Sequence, residues 1–152
     1  KRGLGNGSLI CNDGNYEHVK KLSNNLKGRD NFIPTAPSML MKTADKYYNL
    51  NESLMDCYQT MSALADLKVD LEGFKFKGIV HKDLTSRIHI CNESSFIGKL
   101  LKYEDQSIEI LANTSFNYKN DPISYGHEDS ILALKKMKLK YLITDFGIYK
   151  IK

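Results

Sequence analysis

Two short motifs and one glycine-rich stretch contain the residue types that transfer phosphoryl groups. The sequence HKDL at residues 81–84 has the form of a protein-kinase catalytic loop, and DFG at residues 145–147 has the form of its metal-binding triplet. The stretch GLGNGS at residues 3–8 could act as a phosphate-binding loop. Together they would supply a base, a magnesium ligand and a cradle for the phosphates of ATP.

The surroundings of these motifs do not fit a kinase. The catalytic Asp needs an Asn five positions later to bind the second metal ion, and Ile88 occupies that position. The DFG triplet should follow after one short hairpin, whereas a helix and several strands are predicted between Asp83 and Asp145. We therefore interpret the match as coincidental and predict that neither Asp binds the magnesium of ATP. Residues 81–86 are predicted to form a turn in which Asp83 bonds the local backbone, and Gly147 a bend or bulge.

A metal site is also not indicated by the ligand spacing. His81, His89, Cys57 and Cys91 are suitable ligand types, but no pair of them has the spacing of a zinc ribbon or finger. A buried thiol beside a histidine at a sheet edge explains the same residues. We therefore assign no metal ligand and no cofactor.

Hydrolytic chemistry has little support as well. Only residues 66–68 have the acid-x-Lys form of restriction-type nucleases, and no Ser or Cys lies in a Gly-x-Ser-x-Gly elbow. Whether Asp83, Asp105 and Asp145 converge on a metal ion is left open by the sequence. Enzymatic activity is therefore uncertain, no catalytic residue is assigned, and a metal-dependent nuclease is the third hypothesis.

Aromatic side chains that alternate with lysines indicate another chemistry, the stacking of nucleic-acid bases. The chain has nine Tyr, six Phe and no Trp, and residues 74–77 read FKFK. A half-buried strand gives the same pattern, because its aromatics face inward and its lysines outward. The ten aromatics of the sheet half are together more than a small core needs, so some are expected to be exposed in loops such as residues 113–127, which contain three of them. Stacking with phosphate-binding neighbours predicts a ligand site, made of Phe116, Tyr118, Tyr125, Phe74, Phe76, Lys75 and Lys77.

Length and composition predict one globular domain. The 152 residues are 41% hydrophobic and 26% charged, and they contain no apolar run of 18 residues and no signal-peptide pattern. Three widely spaced cysteines favour an intracellular chain with reduced thiols. Four Asn-x-Ser sequences, at Asn6, Asn51, Asn92 and Asn113, favour secretion instead, but such matches also arise by chance. The net charge of +4 permits contact with nucleic acid without requiring it.

The elements that must position these residues change along the chain. Residues 1–35 are predicted to be rich in loops, with a short helix near residues 16–26, and residues 36–66 to be helical with a Pro in the first turn. Residues 68–152 are predicted to form a sheet plus one helix at residues 127–137, where acids precede lysines. We infer an α+β fold, with a helical N-terminal half packed on a mainly antiparallel sheet. Residues 1–152 would be a single domain excised from a longer protein.

The sheet prediction depends on alternating apolar and polar residues. Four stretches have this character, GFKFKGIV, RIHIC, SFIGKLLKY and SIEILA, and a polar turn at residues 104–106 joins the last two. The final stretch, KYLITDFGIYKI, contains two more apolar runs around residues 145–147. These patterns are typical of an antiparallel meander with one face on the core.

The layout resembles the cap-binding domains of segmented negative-strand RNA virus polymerases. The stretches GFKFKGIVHKDLTSRIHI, GKLLKYEDQSIEIL and HEDSILALKKMK carry the resemblance. It implies that two aromatic side chains sandwich a methylated guanine by cation–π attraction, with no catalytic group. The leading hypothesis is thus a nucleotide- or RNA-binding module of a viral polymerase in the cytoplasm of an infected host cell. The alternative is a structural or protein-interaction domain whose exposed aromatics contact the rest of the parent polypeptide.

Overall fold

The computed structural model describes residues 3–11, 16–26, 35–103 and 108–150. It has the predicted α+β fold. The strands are β1 Ser8–Cys11, β2 Ala36–Met39, β3 Tyr48–Asn49, β4 Ala65–Leu67, β5 Thr85–Ser86, β6 His89–Ile90, β7 Ile110–Ser115, β8 Tyr141–Thr144 and β9 Gly147–Lys150. The α-helices are α1 Tyr16–Lys20, α2 Met41–Tyr47, α3 Met55–Gln59, α4 Phe96–Lys102 and α5 His127–Lys136, with 3-10 turns at Glu52–Leu54 and Lys77–Ile79 and a π-helical turn at Lys21–Leu26.

The strands form three sheets. The largest has the order β1-β7-β2-β6, in which β7 pairs antiparallel with β1 and β2, while β2 and β6 are parallel. A small antiparallel sheet has the order β3-β4-β5, and β8 pairs only with β9 among the described strands. The prediction of a mainly antiparallel architecture is confirmed.

The two faces of the main sheet differ in character. One face contributes Met39, Ile110 and Ala112 to the principal core, which also contains aromatic and aliphatic residues from the small sheet and the turns around it. On the opposite face, Leu111 packs beneath α4 against Ile97 and its neighbours. Ser38 and Asn113 lie on this second face, since Ser38 is the direct partner of Leu111 and Asn113 lies two residues further along β7. The second face is therefore polar at its centre.

Strand β2 is the first departure from the sequence prediction, because residues 36–39 were expected to be helical. The helix begins only at Met41, and Pro37 lies inside the strand. Met39 directs its carbonyl toward Cys91 of the segment after β6, and alternate residues of a strand face the same side. The side of Pro37 that lacks an N–H therefore faces β6. The proline is tolerated there because the pairing with β6 starts only at Ser38.

Residues 74–80 were predicted to be a strand, and they form turns and the 3-10 helix Lys77–Ile79 instead. Phe74 and Phe76 are nevertheless both buried, because their rings meet each other and Tyr47 edge-on at centroid distances of 5.2 to 6.2 Å. Gly73 precedes this stretch and Gly78 lies within it, and both glycines weaken any strand. The two-residue spacing of Phe74 and Phe76 therefore reflects a turn that places both rings in the core, and not a strand.

Helix α4 replaces another predicted strand. The Ser95 side chain accepts a hydrogen bond from the Gly98 N–H at 3.0 Å and so caps the helix, which buries Ile97 and Leu101 on one side. The spacing of four between these two residues is the helical signal that the strand prediction overlooked. The predicted turn at residues 104–106 lies outside the described residues.

Predictions that depended on local chemistry are confirmed. Helix α5 has acids in its first turn and lysines in its last, as expected from the charge order. The C-terminal hairpin turns at Gly147, whose φ of 143° lies in the region that favours glycine. The short helix near residues 16–26 is present, and it buries Val19 and Leu22.

Candidate functional site

The second face of the main sheet carries a buried polar cluster formed by Ser38 of β2, Asn113 of β7, and His89 and Cys91 at β6. The Asn113 side-chain N–H donates to the Ser38 hydroxyl oxygen at 3.0 Å and to the Gly3 carbonyl at 3.1 Å. The Ser38 oxygen lies 2.9 Å from Nδ1 of His89. This oxygen accepts from Asn113, and its hydroxyl can donate to Nδ1 of His89 in the tautomer that carries the imidazole proton on Nε2.

The cluster is held without charge. Burial lowers the pKa of His89, so the imidazole is neutral at pH 7. The Sγ of Cys91 lies 3.6 Å from Nδ1 of His89, and burial raises the pKa of Cys91 to about 11. Ser38, His89 and Cys91 are all buried. These side chains are therefore suited to hold a neighbouring group in place and are poor nucleophiles as they stand.

Two oxygen atoms near the cluster have no hydrogen-bond partner. They are Oδ1 of Asn113 and Oγ1 of Thr35, in residues that are 1% and 2% exposed. Thr35 immediately precedes Ala36, the strand partner of Asn113. Buried polar atoms are almost always hydrogen-bonded, so each of these two oxygens marks a place where a ligand group can bind.

The orientation of the Asn113 amide is fixed by chemistry. The Gly3 carbonyl can only accept a hydrogen bond, so the amide nitrogen must face it. The amide oxygen must then point the other way. Oδ1 is consequently presented as an acceptor in a fixed direction, held by the same two bonds that anchor the nitrogen.

The glycine-rich stretch at residues 3–8 lies next to this cluster. Gly3 contributes the carbonyl that accepts from Asn113, and a Cβ on Gly3 would lie 2.8 Å from both the Ser8 hydroxyl and the Gly7 carbonyl. Gly5 and Gly7 have φ values of 114° and 68°, which few other residues adopt. The Gly7 carbonyl accepts from the Phe116 N–H at 2.8 Å. The glycines therefore allow the loop to approach β7 closely.

The HKDL turn has the local structure predicted for it. Oδ1 of Asp83 accepts from the Thr85 N–H at 3.1 Å and from the Thr85 hydroxyl at 2.8 Å, and these bonds lower the pKa of Asp83. The Thr85 oxygen in turn lies 3.0 Å from Nδ1 of His81. Leu84 has a φ of 63°. Within the described ranges, no three His, Cys, Asp or Glu residues are placed to hold a metal ion, and Asp105 lies outside those ranges.

The aromatic residues predicted to bind a ligand are placed in two different environments. Phe74, Phe76 and Phe116 are buried in the core, where they show no ring face to solvent. Tyr125 is 90% exposed, and Tyr118 is half-buried. Lys75 and Lys77 are exposed. Ligand binding by this set stays a prediction, and only the tyrosines and lysines offer accessible surface for it.

Tyr118 lines a surface cavity of about 180 Å³ between the loop at residues 117–124 and α5. Lys136 of α5 forms an ion pair with Asp121 at 2.7 Å across this cavity. Asp129 accepts from the Tyr125 and Gly126 N–H groups at 3.4 Å and so caps α5. The cavity thus combines one aromatic ring with charged groups of both signs.

The sequence revealed the glycine-rich stretch at residues 3–8 but not its position beside β7. It revealed Asn113 only as part of an Asn-x-Ser sequence. The two partners of the Asn113 amide come from 110 and 75 residues away in the chain. Asn113 is also too buried to carry a glycan in this fold. A polar run within an otherwise apolar strand, ILANTS, was the available signal.

Comparisons with known proteins cover nearly the whole chain. The family model described as carbamoyltransferase C-terminus matches residues 1–150. An uncharacterised protein of Methanocaldococcus jannaschii is 28% identical over 156 residues, which cover 99% of this chain and 29% of that protein. The nodulation protein NolO of Bradyrhizobium diazoefficiens is 25% identical over 146 residues, which cover 93% of this chain and 26% of NolO.

A solved structure has the same fold. The crystal structure of full-length HypF in the phosphate- and nucleotide-bound form matches 88% of this chain and 17% of HypF, with a TM-score of 0.66 and 22% sequence identity. The chain spans less than a third of the length of each of these relatives. It is therefore a module of a larger polypeptide, as the sequence predicted.

These findings overturn the resemblance to viral cap-binding domains. The family match covers residues 1–150, whereas the resemblance was one of layout over about half the chain. Two of its stretches also fold differently from that layout, because residues 74–80 and 96–102 are not strands. A viral polymerase, a cap ligand and an infected host cell have no support. No helix in the described part of the chain is long and apolar enough to cross a bilayer.

Proposed function

The chain belongs to the carbamoyltransferase C-terminus family, and from this premise we propose that it is a nucleotide-binding module that seats a carbamoyl-bearing ligand. The HypF crystal structure, which has the same fold, is of the phosphate- and nucleotide-bound form, and this supports the ligand class. The short span relative to its relatives supports a role beside other domains of one enzyme.

The observation that carries the proposal is that Asn113 and Thr35 each have a buried oxygen without a hydrogen-bond partner. A carbamoyl group has an NH₂ that donates hydrogen bonds and a carbonyl oxygen that accepts them. The Asn113 oxygen can only accept, which suits the NH₂ of a carbamoyl group, and the Thr35 hydroxyl can also donate, which suits a carbonyl oxygen. An adenine base offers a similar pair, an amino group and a ring nitrogen.

The module's own contribution is to bind and orient its ligand. Ser38 is fully buried, the Cys91 thiol is protonated and His89 is neutral, so none of them is ready to attack a carbonyl carbon. The polar cluster instead fixes Oδ1 of Asn113 before the ligand arrives. This lowers the entropic cost of binding, because the side chain is already ordered. In this proposal the reacting groups of the transfer belong to other parts of the parent enzyme.

Access to Asn113 involves the loop at residues 3–8. The Gly3 carbonyl of this loop accepts a hydrogen bond from the Asn113 amide. Gly5 and Gly7 of the loop have positive φ values. Glycine positions of this kind can absorb the backbone rotation of an opening loop. We expect ligand entry to move residues 3–8 while β7 and β2 remain fixed.

Tyr118 is the member of the predicted aromatic set with the best geometry for a nucleotide base, because it lines the cavity beside α5. We propose that the base stacks there, which would be worth about 1–3 kcal/mol. Tyr118→Ala should then weaken nucleotide binding, whereas Tyr125→Ala, at an exposed site outside the cavity lining, should not. Equal effects of the two changes would remove Tyr118 from the site.

Calorimetric titration with carbamoyl phosphate, with ATP and with both together tests the proposal. We expect saturable binding of at least one ligand, weakened by about two- to tenfold in Thr35→Val, which loses one hydrogen bond of about 0.5–1.5 kcal/mol. Tyr125→Ala is the matched control for the carbamoyl ligand, since it lies at an exposed site. Absence of binding by every ligand, or unchanged affinity in Thr35→Val, contradicts the proposed site.

A further inference from the structure

The C-terminal hairpin of β8 and β9 has one anchored face and one open face. Directly paired residues share a face, so Leu142 and Tyr149 lie on one side and Ile143 and Ile148 on the other. Leu142 is buried against Leu134 and its neighbours in the core beneath α5. Only this side of the hairpin is held by the rest of the described chain.

The open side, which we call the hairpin face, consists of Tyr141, Ile143 and Ile148. These side chains are 58%, 51% and 70% exposed, although Ile and Tyr have strong tendencies to be buried in sheets. Phe146 at the turn is 82% exposed. Three apolar side chains side by side on an exposed sheet face form a patch that isolated domains usually cover.

The edges of the hairpin are open as well. Neither β8 nor β9 pairs with another described strand, so alternate N–H and C=O groups of β9 face outward without a partner strand. A two-stranded hairpin is marginally stable alone, and an exposed apolar edge invites pairing with another chain. The usual protection by a charge inside the strand or by a proline is absent from YLIT and GIYK, apart from the terminal Lys150.

Basic residues mark one end of the hairpin face. The Lys150 ammonium lies 6.0 Å from the centre of the Tyr141 ring, on the same face. Lys138 and Lys140 lie within three residues before the start of β8. A covering surface would therefore combine an apolar centre with carboxylates at the Lys150 end, because such a partner would neutralise these charges.

The size of the patch decides between two kinds of partner. Three side chains and a four-residue strand fall well below the roughly 1,000 Å² that a stable contact between free chains needs. A partner in the same polypeptide avoids most of the entropic cost of association, because tethering gives it a millimolar effective concentration. The relatives of this chain have more than two thirds of their length outside the matched region, so such a tethered partner is available.

We propose that the hairpin face docks on the remainder of the parent polypeptide, against an apolar surface with carboxylates near Lys150. The contact adds to the edge of β9 and fixes the orientation of this module within the enzyme. It is independent of the polar cluster at Asn113 and would exist whether or not a carbamoyl ligand binds there.

Hydrogen–deuterium exchange in the full-length parent protein tests the docking. We expect the outward N–H groups of β9 to exchange at least about tenfold more slowly than an open strand edge allows, at all protein concentrations. Ile143→Lys and Ile148→Lys should abolish this protection. Leu64→Lys, at a similarly exposed apolar residue (49% exposed) just before β4, should leave it unchanged.

Each other outcome overturns the proposal. Fast exchange of β9 in the wild-type parent protein shows an uncovered edge, and this outcome does not depend on whether the lysine variants fold. Protection that grows with protein concentration shows a contact between two copies. Protection lost equally in Leu64→Lys shows general destabilisation. Carbamoyl phosphate titration of the same samples reports on the proposed function separately.

Discussion

Replacing Thr35 by valine should stabilise the ligand-free module. The Thr35 hydroxyl is buried and without a partner, and valine has the same shape with a methyl group in its place. A buried polar group left unpaired costs about 1–3 kcal/mol relative to a satisfied one. Removal of this cost should raise the free energy of unfolding by about 1–2 kcal/mol, and each kcal/mol corresponds to about 2–4 °C in a domain of this size.

Ser38→Ala is the matched comparison and should act in the opposite direction. The Ser38 hydroxyl is also buried, but it accepts from Asn113 at 3.0 Å and lies 2.9 Å from Nδ1 of His89. Alanine leaves the His89 nitrogen without this partner and removes one of the two bonds that orient the Asn113 amide. We expect a loss of about 1–3 kcal/mol, so two small changes three residues apart in the chain should differ in sign.

Urea unfolding followed by circular dichroism, with and without carbamoyl phosphate, measures both effects. Saturating ligand should stabilise the wild-type module more than Thr35→Val, because only the wild type offers the hydroxyl to the ligand. If Thr35→Val destabilises the free module as Ser38→Ala does, the hydroxyl has a partner in solution, such as a buried water. The inference that it awaits a ligand group would then be wrong.

Three further predictions concern single positions. Burial lowers the pKa of His89 below its unfolded value near 6.5. The stability that depends on neutral His89 is therefore present above about pH 6.5 and is lost as the pH falls. His89→Gln should make the free energy of unfolding in urea less dependent on pH between about pH 7 and pH 5. Gly98→Ala should cost about 1–3 kcal/mol in thermal unfolding, because the added Cβ overlaps the Asn92 carbonyl, whereas Gly73→Ala meets only ordinary contacts and should be nearly neutral. Leu84→Gly should raise the unfolding free energy by about 1 kcal/mol, since an exposed leucine at φ 63° is strained; a fall of that size would show that the leucine side chain stabilises the turn.

Elements with a local signal were predictable from the sequence. The charge order of α5, the glycine at the C-terminal hairpin turn and the Asp83 turn each depend on residues within a few positions of one another. Strand β2 was not predictable in this way, because Pro37 is compatible with a central strand only where the neighbouring strand β6 has not yet begun. That condition is a property of the assembled sheet.

The candidate site depends even more on contacts between residues that are distant in the sequence. The Asn113 amide is oriented by a carbonyl near the N-terminus and by a hydroxyl on β2, and neither is close to it in sequence. In the sequence an NTS run reads first as a glycosylation motif, and only the sheet register buries it. Unpartnered atoms such as Oδ1 become visible only when every neighbour is placed, because satisfaction of hydrogen bonds is a property of the whole environment.

Three of the five aromatic residues predicted to bind a ligand, Phe74, Phe76 and Phe116, are packed in the core. Phe74 and Phe76 alternate with lysines, yet both rings face Tyr47 within the core. A ring packed edge-on against two others has no free face for a base. The buried rings are used in packing, and the groups that the core leaves unsatisfied are polar: among buried side chains of the described residues these are the oxygens of Asn113 and Thr35. In the proposed function these oxygens select a ligand group by hydrogen bonding, and the stacking proposed for Tyr118 adds to it.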